Sequence, residues 1–210
     1  CFNKPNLISP NGKFEYYTAD HELNHEVLQG IGFSNVKNHR IMNILLDRRI
    51  APNTTHFGDL AVVTVEGNDR IRERVWVQNS VFQNKSRVPL DFQDVQKEMK
   101  NQSYIPELSM LLTADQRPVG YGQIIRNQTA YYLVNFGIVP EYQGLGYSHF
   151  LLEALLNKAK DDGLEIILLE VFEDNAKAVK LYQNHGFKTM YNKCQWTYQR
   201  YDKNSPTELT

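Results

Sequence analysis

Two stretches of the chain carry the residues able to do chemistry. In VPEYQGLGYSHFLLEALLNKA (139–159) a strand end gives way to Gln143-Gly144-Leu145-Gly146-Tyr147-Ser148 and then to helical spacing. Gly144 and Gly146 carry no side chains where the backbone must come close to a ligand, and a helix begins at once. The first N–H groups of a helix have no partner inside it and its dipole favours an anion, so the segment reads as a phosphate cradle. Hydrogen bonds to a charged group contribute about 1.5–3 kcal/mol each, so several converging amides could hold a pyrophosphate. The competing reading is a tight strand-to-helix turn without a ligand. A dinucleotide fingerprint of GxGxxG type fits poorly, because His149 stands three places after Gly146 and the preceding strands read as antiparallel. In LEVFEDNAKAVKLYQNHGF (169–187), Asn175 opens a helix and Tyr182 follows seven residues later, close to two turns, on the same face. Ala178 and Leu181 lie beside Tyr182, and Glu170 sits on the strand before the helix.

The elements that must position these residues alternate along the last two-thirds of the chain. AVVTVEG (61–67) reads as a strand, Asn68-Asp69 as the cap of a helix to about Phe82, and DFQDVQKEMKN (91–101) as a second helix. The segment from Glu107 to Pro140 divides into three strands at the turns Asp115-Gln116-Arg117-Pro118 and Asn127-Gln128, and such short loops favour antiparallel hairpins. The helix after the glycine turn keeps Leu152, Leu155, Leu156 and Ala159 on one face. EIILLEVF (165–172) is an apolar strand of the kind buried on both faces, and NAKAVKLYQNH is a helix closed by Gly186. Two strands finish around 188–191 and 195–201. The order β-α-α-β-β-β-α-β-α-β-β predicts an α/β fold, a mixed sheet with helices on both faces.

The 210 residues suit one domain with an extension, or two small ones, and 41% apolar with 11% aromatic residues is too much for a disordered chain. A net charge of −1 gives no global field to gather nucleic acid or an anionic membrane. No apolar run approaches the roughly 18 residues of a membrane span and no basic-then-apolar leader opens the chain. The sequence therefore reads as soluble and cytoplasmic, with neither nucleic acid nor membrane as partner. Cys1 and Cys194 cannot make a disulfide framework and lack metal-ligand spacing, so no metal is expected. Asn-x-Ser/Thr triplets such as Asn53-Thr54-Thr55 would matter only in a secreted protein. A chain opening on Cys1 rather than Met reads as processed or truncated.

Taken together, Gln143-Gly144-Leu145-Gly146-Tyr147-Ser148 and Asn175…Ala178…Leu181-Tyr182…Gly186-Phe187 resemble the GNAT superfamily of N-acetyltransferases. The resemblance covers about residues 58–202, leaving 1–57 as an N-terminal segment and linker and 203–210 as a tail. The family's first motif, Gln/Arg-x-x-Gly-x-Gly/Ala, is met at Gln143 and Gly146, with the small Ser148 in the last place. The LEV…N…A…LY…GF run looks like the branch that includes ribosomal-protein alanine acetyltransferases, from which no substrate follows. The resemblance implies a GNAT fold: a mixed, mostly antiparallel sheet with helices on both faces, splayed between its fourth and fifth strands. It implies acetyl-CoA as cosubstrate, lying between the strand that ends at Val139 and the strand 165–172. Pantetheine would pair with backbone near Ile138 and Val139, and the pyrophosphate would sit on the amides of Gln143, Gly144, Leu145, Gly146, Tyr147 and Ser148. Asn175 would contact the pantetheine arm.

Acetyl transfer needs an uncharged amine to attack a thioester and a proton for the departing thiolate. A lysine-like amine with a pKa of about 10.4 is mostly protonated at pH 7, a deficit of roughly 4–5 kcal/mol, so a group must take that proton, directly or through water. Tyrosine, with a pKa of about 10, is protonated at neutral pH and can donate to a thiolate, which makes Tyr182 the general acid; a core tyrosine is the competing reading. Family members often place a glutamate on the strand before the glycine turn, but YYLVNFGIV contains no acid. Glu170 on the next strand is the nearest motif-linked carboxylate, a base or amine ligand, against a structural hydrogen-bonding role. Cys194 is a poor acyl carrier because no histidine is tied to it by motif. The expected function is acetyl transfer to a primary amine of a small molecule or peptide. The alternative is a non-catalytic acyl-CoA-binding or interaction module that keeps the fold.

The N-terminal segment holds a formal match to the zinc-protease pattern HExxH, His21-Glu22-Leu23-Asn24-His25. With Asp20 as helix cap the pair falls on a first, exposed turn, and reads as incidental surface histidines. A shift of 154 residues is more informative: Gly32-Phe33 falls on Gly186-Phe187, FEYYTA on LLEVFE, and the helix ending at Gly30 on the one carrying Tyr182. Residues 13–46 then look like the back half of a second acetyltransferase domain (strand, helix, strand, strand), against chance similarity of one β-α-β unit to another. Residues 47–57 would be the linker. Under this shift Leu28 stands for Tyr182 and His21 for Asn175, so one coenzyme A per chain is expected.

Overall fold

The computed structural model describes residues 13–50, 59–83 and 88–199. Cys1, most of the expected linker and the tail 203–210 lie outside them. The strands make an eight-stranded mixed sheet, and the chain divides into two compact units, residues 43–169 with 180–188, and residues 1–42 with 170–179 and 189–210. Among the described residues no helix is long and apolar enough to cross a membrane.

The larger unit contains β3 (Leu60–Thr64), α2 (Gly67–Val81), α3 (Phe92–Met99), β4 (Ser109–Ala114), β5 (Arg117–Asn127), β6 (Ala130–Ile138) and α4 (Tyr147–Asp161). It also takes the start of β7 (Ile166–Phe172) and the end of α5 (Ala176–Asn184). Its strand order is β7-β6-β5-β4-β3, antiparallel from β3 to β6 and parallel between β6 and β7. The β4–β5 hairpin turns through Asp115 and Gln116, both at positive φ (47° and 63°), the twist that suits a two-residue hairpin loop. Strand alternation sends neighbouring residues of β5 to opposite faces. Tyr121 joins a core with Ile71 and Val77 of α2 and Val95 of α3. At Gly122 a Cβ would lie 2.7 Å from Leu155 of α4, so helices do cover both faces. Beneath α2 the wholly buried Arg74 bonds Gln78 (2.7 Å) and Glu98 (2.5 Å), and Gln123 bonds the second Glu98 oxygen (2.7 Å). Removing one partner of such a group would leave an uncompensated buried charge.

The smaller unit holds β1 (Lys13–Ala19), α1 (Glu22–Gly30), most of β2 (Ser34–Leu45), the end of β7 and most of β8 (Lys188–Gln199), in the order β1-β8-β2-β7. β1 and β8 are antiparallel from Lys13↔Gln199 to Ala19↔Lys193. α1 packs Leu28 onto Cys194 and Trp196, with Tyr16 and Phe33 at the margin.

Three local expectations change. One strand, not two, follows α1, and β8 is likewise unbroken: its ladder with β1 covers Lys193–Gln199 and Asp20 N bonds Asn192 O (2.9 Å), so backbone pairing continues across 192–194, the gap between the two expected strands. Helix α2 starts two residues early, at the left-handed Gly67 (φ 73°), with Glu66 rather than Asn68-Asp69 at the cap. The cap of α1 is His21, whose Nδ1 accepts the Leu23 amide, which frees Asp20 for another partner.

Candidate active site

The glycine turn is built from backbone in the larger unit. β6 and β7 pair only at Tyr131↔Ile167 and Tyr132↔Leu168, near the start of both strands, so the parallel ladder stops where β6 runs on to Ile138. On its other edge β6 is bulged opposite Tyr121–Gln123, with Asn135 at φ 52°. Val139 N bonds Val119 O (2.9 Å) and the chain makes a short 3-10 turn over Pro140–Tyr142. Gln143 folds back, its side-chain amide donating to the Ile138 carbonyl (2.9 Å), which clamps the turn to the strand end. Gly144 and Gly146 both take left-handed backbone (φ 80° and 83°), and a Cβ on Gly144 would meet nothing within 4 Å. That open cradle fits an approaching phosphate better than a packed turn would. Gly146 caps α4 without a side-chain bond, and the first amide to turn back into the helix is His149 N onto Gly146 O (3.0 Å). The amides before it, at the positive end of a 15-residue helix, are the ones an anion would use. The rings of Tyr142 and Tyr147 stack 6.4 Å apart beside them.

Tyr182 lies on the part of α5 that belongs to the larger unit. Its ring packs edge-on to Phe187 (5.6 Å) and near Phe136 of β6 (6.2 Å). Burial pushes its pKa up to about 12, and its hydroxyl makes no hydrogen bond among the described residues. It is both core ring and held proton.

Glu170 and Asn175 belong to the smaller unit. Both Glu170 oxygens lie 3.0 Å from Lys193 Nζ, and Oε1 lies 2.9 Å from His39 Nδ1. Burial lowers the His39 pKa although Glu170 pulls the other way, so the imidazole is neutral at pH 7. Lys193 also sits over the Tyr17 ring at 4.6 Å. Asn175 Oδ1 accepts the Ala178 amide (3.2 Å), an N-cap bond that starts α5.

A model described as the acetyltransferase (GNAT) family matches residues 69–187, more than half of the chain. The chain belongs to this family. Among curated proteins, the [ribosomal protein bS18]-alanine N-acetyltransferase of Salmonella typhimurium is 33% identical over 82 residues, 38% of this chain and 54% of that one. The mycothiol acetyltransferase of Paenarthrobacter aurescens is 45% identical over 51 residues, 24% of this chain and 16% of that one. The chain thus spans about half the length, or less, of these relatives. Among solved structures, a GCN5-related N-acetyltransferase from Sphaerobacter thermophilus superposes with a TM-score of 0.76 at 17% identity, over 89% of this chain and 59% of that one. The ribosomal-protein-S18-alanine N-acetyltransferase from Escherichia coli superposes at 0.51 and 17% identity, over 70% of this chain and 98% of that one. At these identities the likeness is one of fold.

Within this GNAT chain several groups escaped the sequence reading. His39 and Lys193 engage Glu170 from 131 and 23 residues away, with no motif to announce them. A histidine does sit against Cys194: His25 Nε2 is 3.7 Å from its sulfur, although no motif links them. Burial, with Asp20 beside it, pushes this thiol up to about 11, so it stays protonated. The two histidines of the HExxH match do not converge, since His21 caps α1 and His25 pairs with Asp20 (2.7 Å).

Proposed function

We propose that this protein is an acetyl-CoA-dependent N-acetyltransferase that acetylates a primary amine by direct attack. The observation that carries the reading is the left-handed Gly144/Gly146 turn heading α4, at the end of a β6 edge that leaves β7 after two residue pairs. In a GNAT chain this is a cradle for a pyrophosphate beside open strand backbone. Ile138 and Val139 would offer main-chain partners, and the amides of 143–148 would hold the phosphates, with Gln143 keeping the turn in shape. Acetyl-CoA would supply the activated acetyl group, a thioester that an uncharged amine attacks with expulsion of the thiolate. Tyr182 donates the proton that the sulfur takes up. With its pKa at about 12 against about 8.5 for a thiol, donation is uphill unless coupled to the proton the amine releases. Tyr182 therefore acts in concert with C–S cleavage and recovers its proton from the attacking amine through solvent.

Glu170 keeps its proposed role as amine ligand or base, and Asn175 its role toward pantetheine. Lys193 already occupies both Glu170 oxygens, so a cationic amine would compete with the lysine for that carboxylate. The same pairing, with no acid in β6, supports a second reading: a GNAT fold that binds acyl-CoA without turnover. Residues 1–57 we read as a partial, degenerate second copy, ahead of an acetyltransferase domain over 58–202.

The test is thiol release from acetyl-CoA with a panel of amines: an alanine-terminated peptide, prompted by the relatives' names, and lysine, a polyamine and an aminoglycoside. Turnover with one of them that falls in Glu170→Gln supports the first reading. Acetyl-CoA binding with no turnover on any amine supports the second, and no binding sinks both.

A further inference from the structure

A cluster outside the proposed acetyl-CoA residues joins three elements of the smaller unit. Asp20 follows β1, His25 lies in α1 and Cys194 in β8. His25 Nε2 is 2.7 Å from Asp20 Oδ1 and 3.7 Å from Cys194 Sγ, and the three donor atoms lie within 4.8 Å of one another. The thiol is wholly buried, whereas the side chains of His25 and Asp20 are 31% and 36% exposed, so the cluster has a closed floor and an open rim.

We propose that Asp20, His25 and Cys194 bind one zinc-like divalent cation, with a solvent molecule as fourth ligand. One sulfur, one imidazole nitrogen and one carboxylate oxygen converging on a point suit a borderline-soft tetrahedral ion, whereas magnesium and calcium take oxygen alone. The imidazole is already aimed, since the Trp196 ring packs against it in a T-shaped pair at 4.9 Å and Nε2 faces the other two donors. Asn192 supplies an independent sign. It lies two residues before Cys194, on the same face of β8, and its side chain is among the groups that lower the Asp20 pKa. Yet its Oδ1 is buried with no partner, and an acceptor left so calls for a donor. A water on the ion, donating to Asn192 Oδ1, would be that donor. Binding breaks the S–H bond of Cys194, whose proton leaves to solvent, and leaves the imidazole proton on Nδ1 so that Nε2 gives up its bond to Asp20 and holds the ion. The ion would tie α1 to β1 and β8. Of the HExxH match only His25 takes part, and its partner is a cysteine 169 residues away.

The test uses the full chain carrying Cys1→Ser, which removes the other of its two cysteines. Titration with Co²⁺ should give one ion per chain and a sulfur-to-cobalt charge-transfer band in the near ultraviolet, with proton release and displacement by Zn²⁺. Zn²⁺ should also raise the melting temperature. Because Cys194 is a core residue, the variants are made at the rim. His25→Gln and Asp20→Asn should each weaken binding by about tenfold or more, with an unchanged circular dichroism spectrum. Glu22→Gln should bind as well as the parent. The absence of a charge-transfer band at saturating Co²⁺ would overturn the site, as would equal affinity in His25→Gln, Asp20→Asn and the parent.

Discussion

The segments β1-α1-β2 and β7-α5-β8 are built to one plan and equipped differently. At a constant offset of 154, α1 (Glu22–Gly30) falls residue for residue on α5 (Ala176–Asn184), and β2 (Ser34–Leu45) on β8 (Lys188–Gln199). Both helices close the same way. Gly32 and Gly186 are left-handed (φ 91° and 93°), Phe33 N bonds Leu28 O (2.8 Å), and Phe187 N bonds Tyr182 O (3.1 Å). Cross-strand bonds share their acceptor position, Asp20 N to Asn192 O and Glu173 N to Asn38 O, both 2.9 Å, with the donors one place out of step. Leu28 and Tyr182 share a position and a burial of 8% exposed, but only one carries a proton to give. Conversely, the places matching Cys194 and His25 hold Arg40, ion-paired to Glu173 at 2.9 Å, and Val179, which bind no metal. Backbone geometry can stay fixed while single side chains decide whether a position is a proton donor, a ligand or filler.

The largest effect is expected at the pair that differs most in chemistry. Tyr182→Phe keeps the ring packing and should lower turnover by about 10²–10⁴ with acetyl-CoA affinity unchanged. Calorimetry beside steady-state rates checks both halves, and an unaltered rate with a good amine would make the two positions alike as filler. At its counterpart, Leu28→Ala removes packing and should cost about 2–5 kcal/mol in urea unfolding. Next comes the glycine turn that heads α4. Gly146→Val forces a β-branched residue to φ 83°, a strain of about 1–3 kcal/mol, and should weaken acetyl-CoA binding about tenfold or more. Wild type should bind one coenzyme A per chain; a second, Gly146-independent site seen by titration would give the N-terminal segment a role beyond scaffold. Smaller and matched effects are expected at the shared helix ends. Gly32→Ala and Gly186→Ala should each cost about 1–3 kcal/mol in melting experiments, and clearly unequal costs would break the parallel.

The smallest effect concerns pH. Burial holds His39 and His149 below the ordinary histidine pKa, the latter also through the neighbouring His185. The folded state then binds protons less readily than the unfolded one. The stability these neutral rings contribute is complete above about 6.5, the unfolded value, and is lost as pH falls from there through their folded pKa values. Urea midpoints should therefore decline below that pH, and less so in His39→Gln.

The features legible in the sequence are those that a contiguous segment dictates. The glycine turn, the Asn175–Tyr182 spacing and the 154-residue echo all rest on bonds spanning three to five residues or on the φ that glycine alone adopts freely. The reading faltered where local signals competed with a ladder. Residues 192–194 read as a gap between two strands, yet β8 runs unbroken from Lys188 to Gln199, with β1 paired along it from Lys193 onward. It was silent about His39 and Lys193 on Glu170, and about the Arg74–Glu98–Gln123 network, because nothing near in sequence links those residues.

Gly144, Gly146, Tyr182 and the order of elements were thus determined by the sequence itself, since helix phase, hairpin turns and left-handed glycines are set by neighbours along the chain. The meeting of Asp20, His25 and Cys194 was decided only when β8 paired with β1 under α1. That pairing, with α1 packed over it, brings together His25 and Cys194, 169 positions apart in the chain. Side chains brought together by a sheet ladder obey its register, and register is a property of two strands that neither strand carries alone.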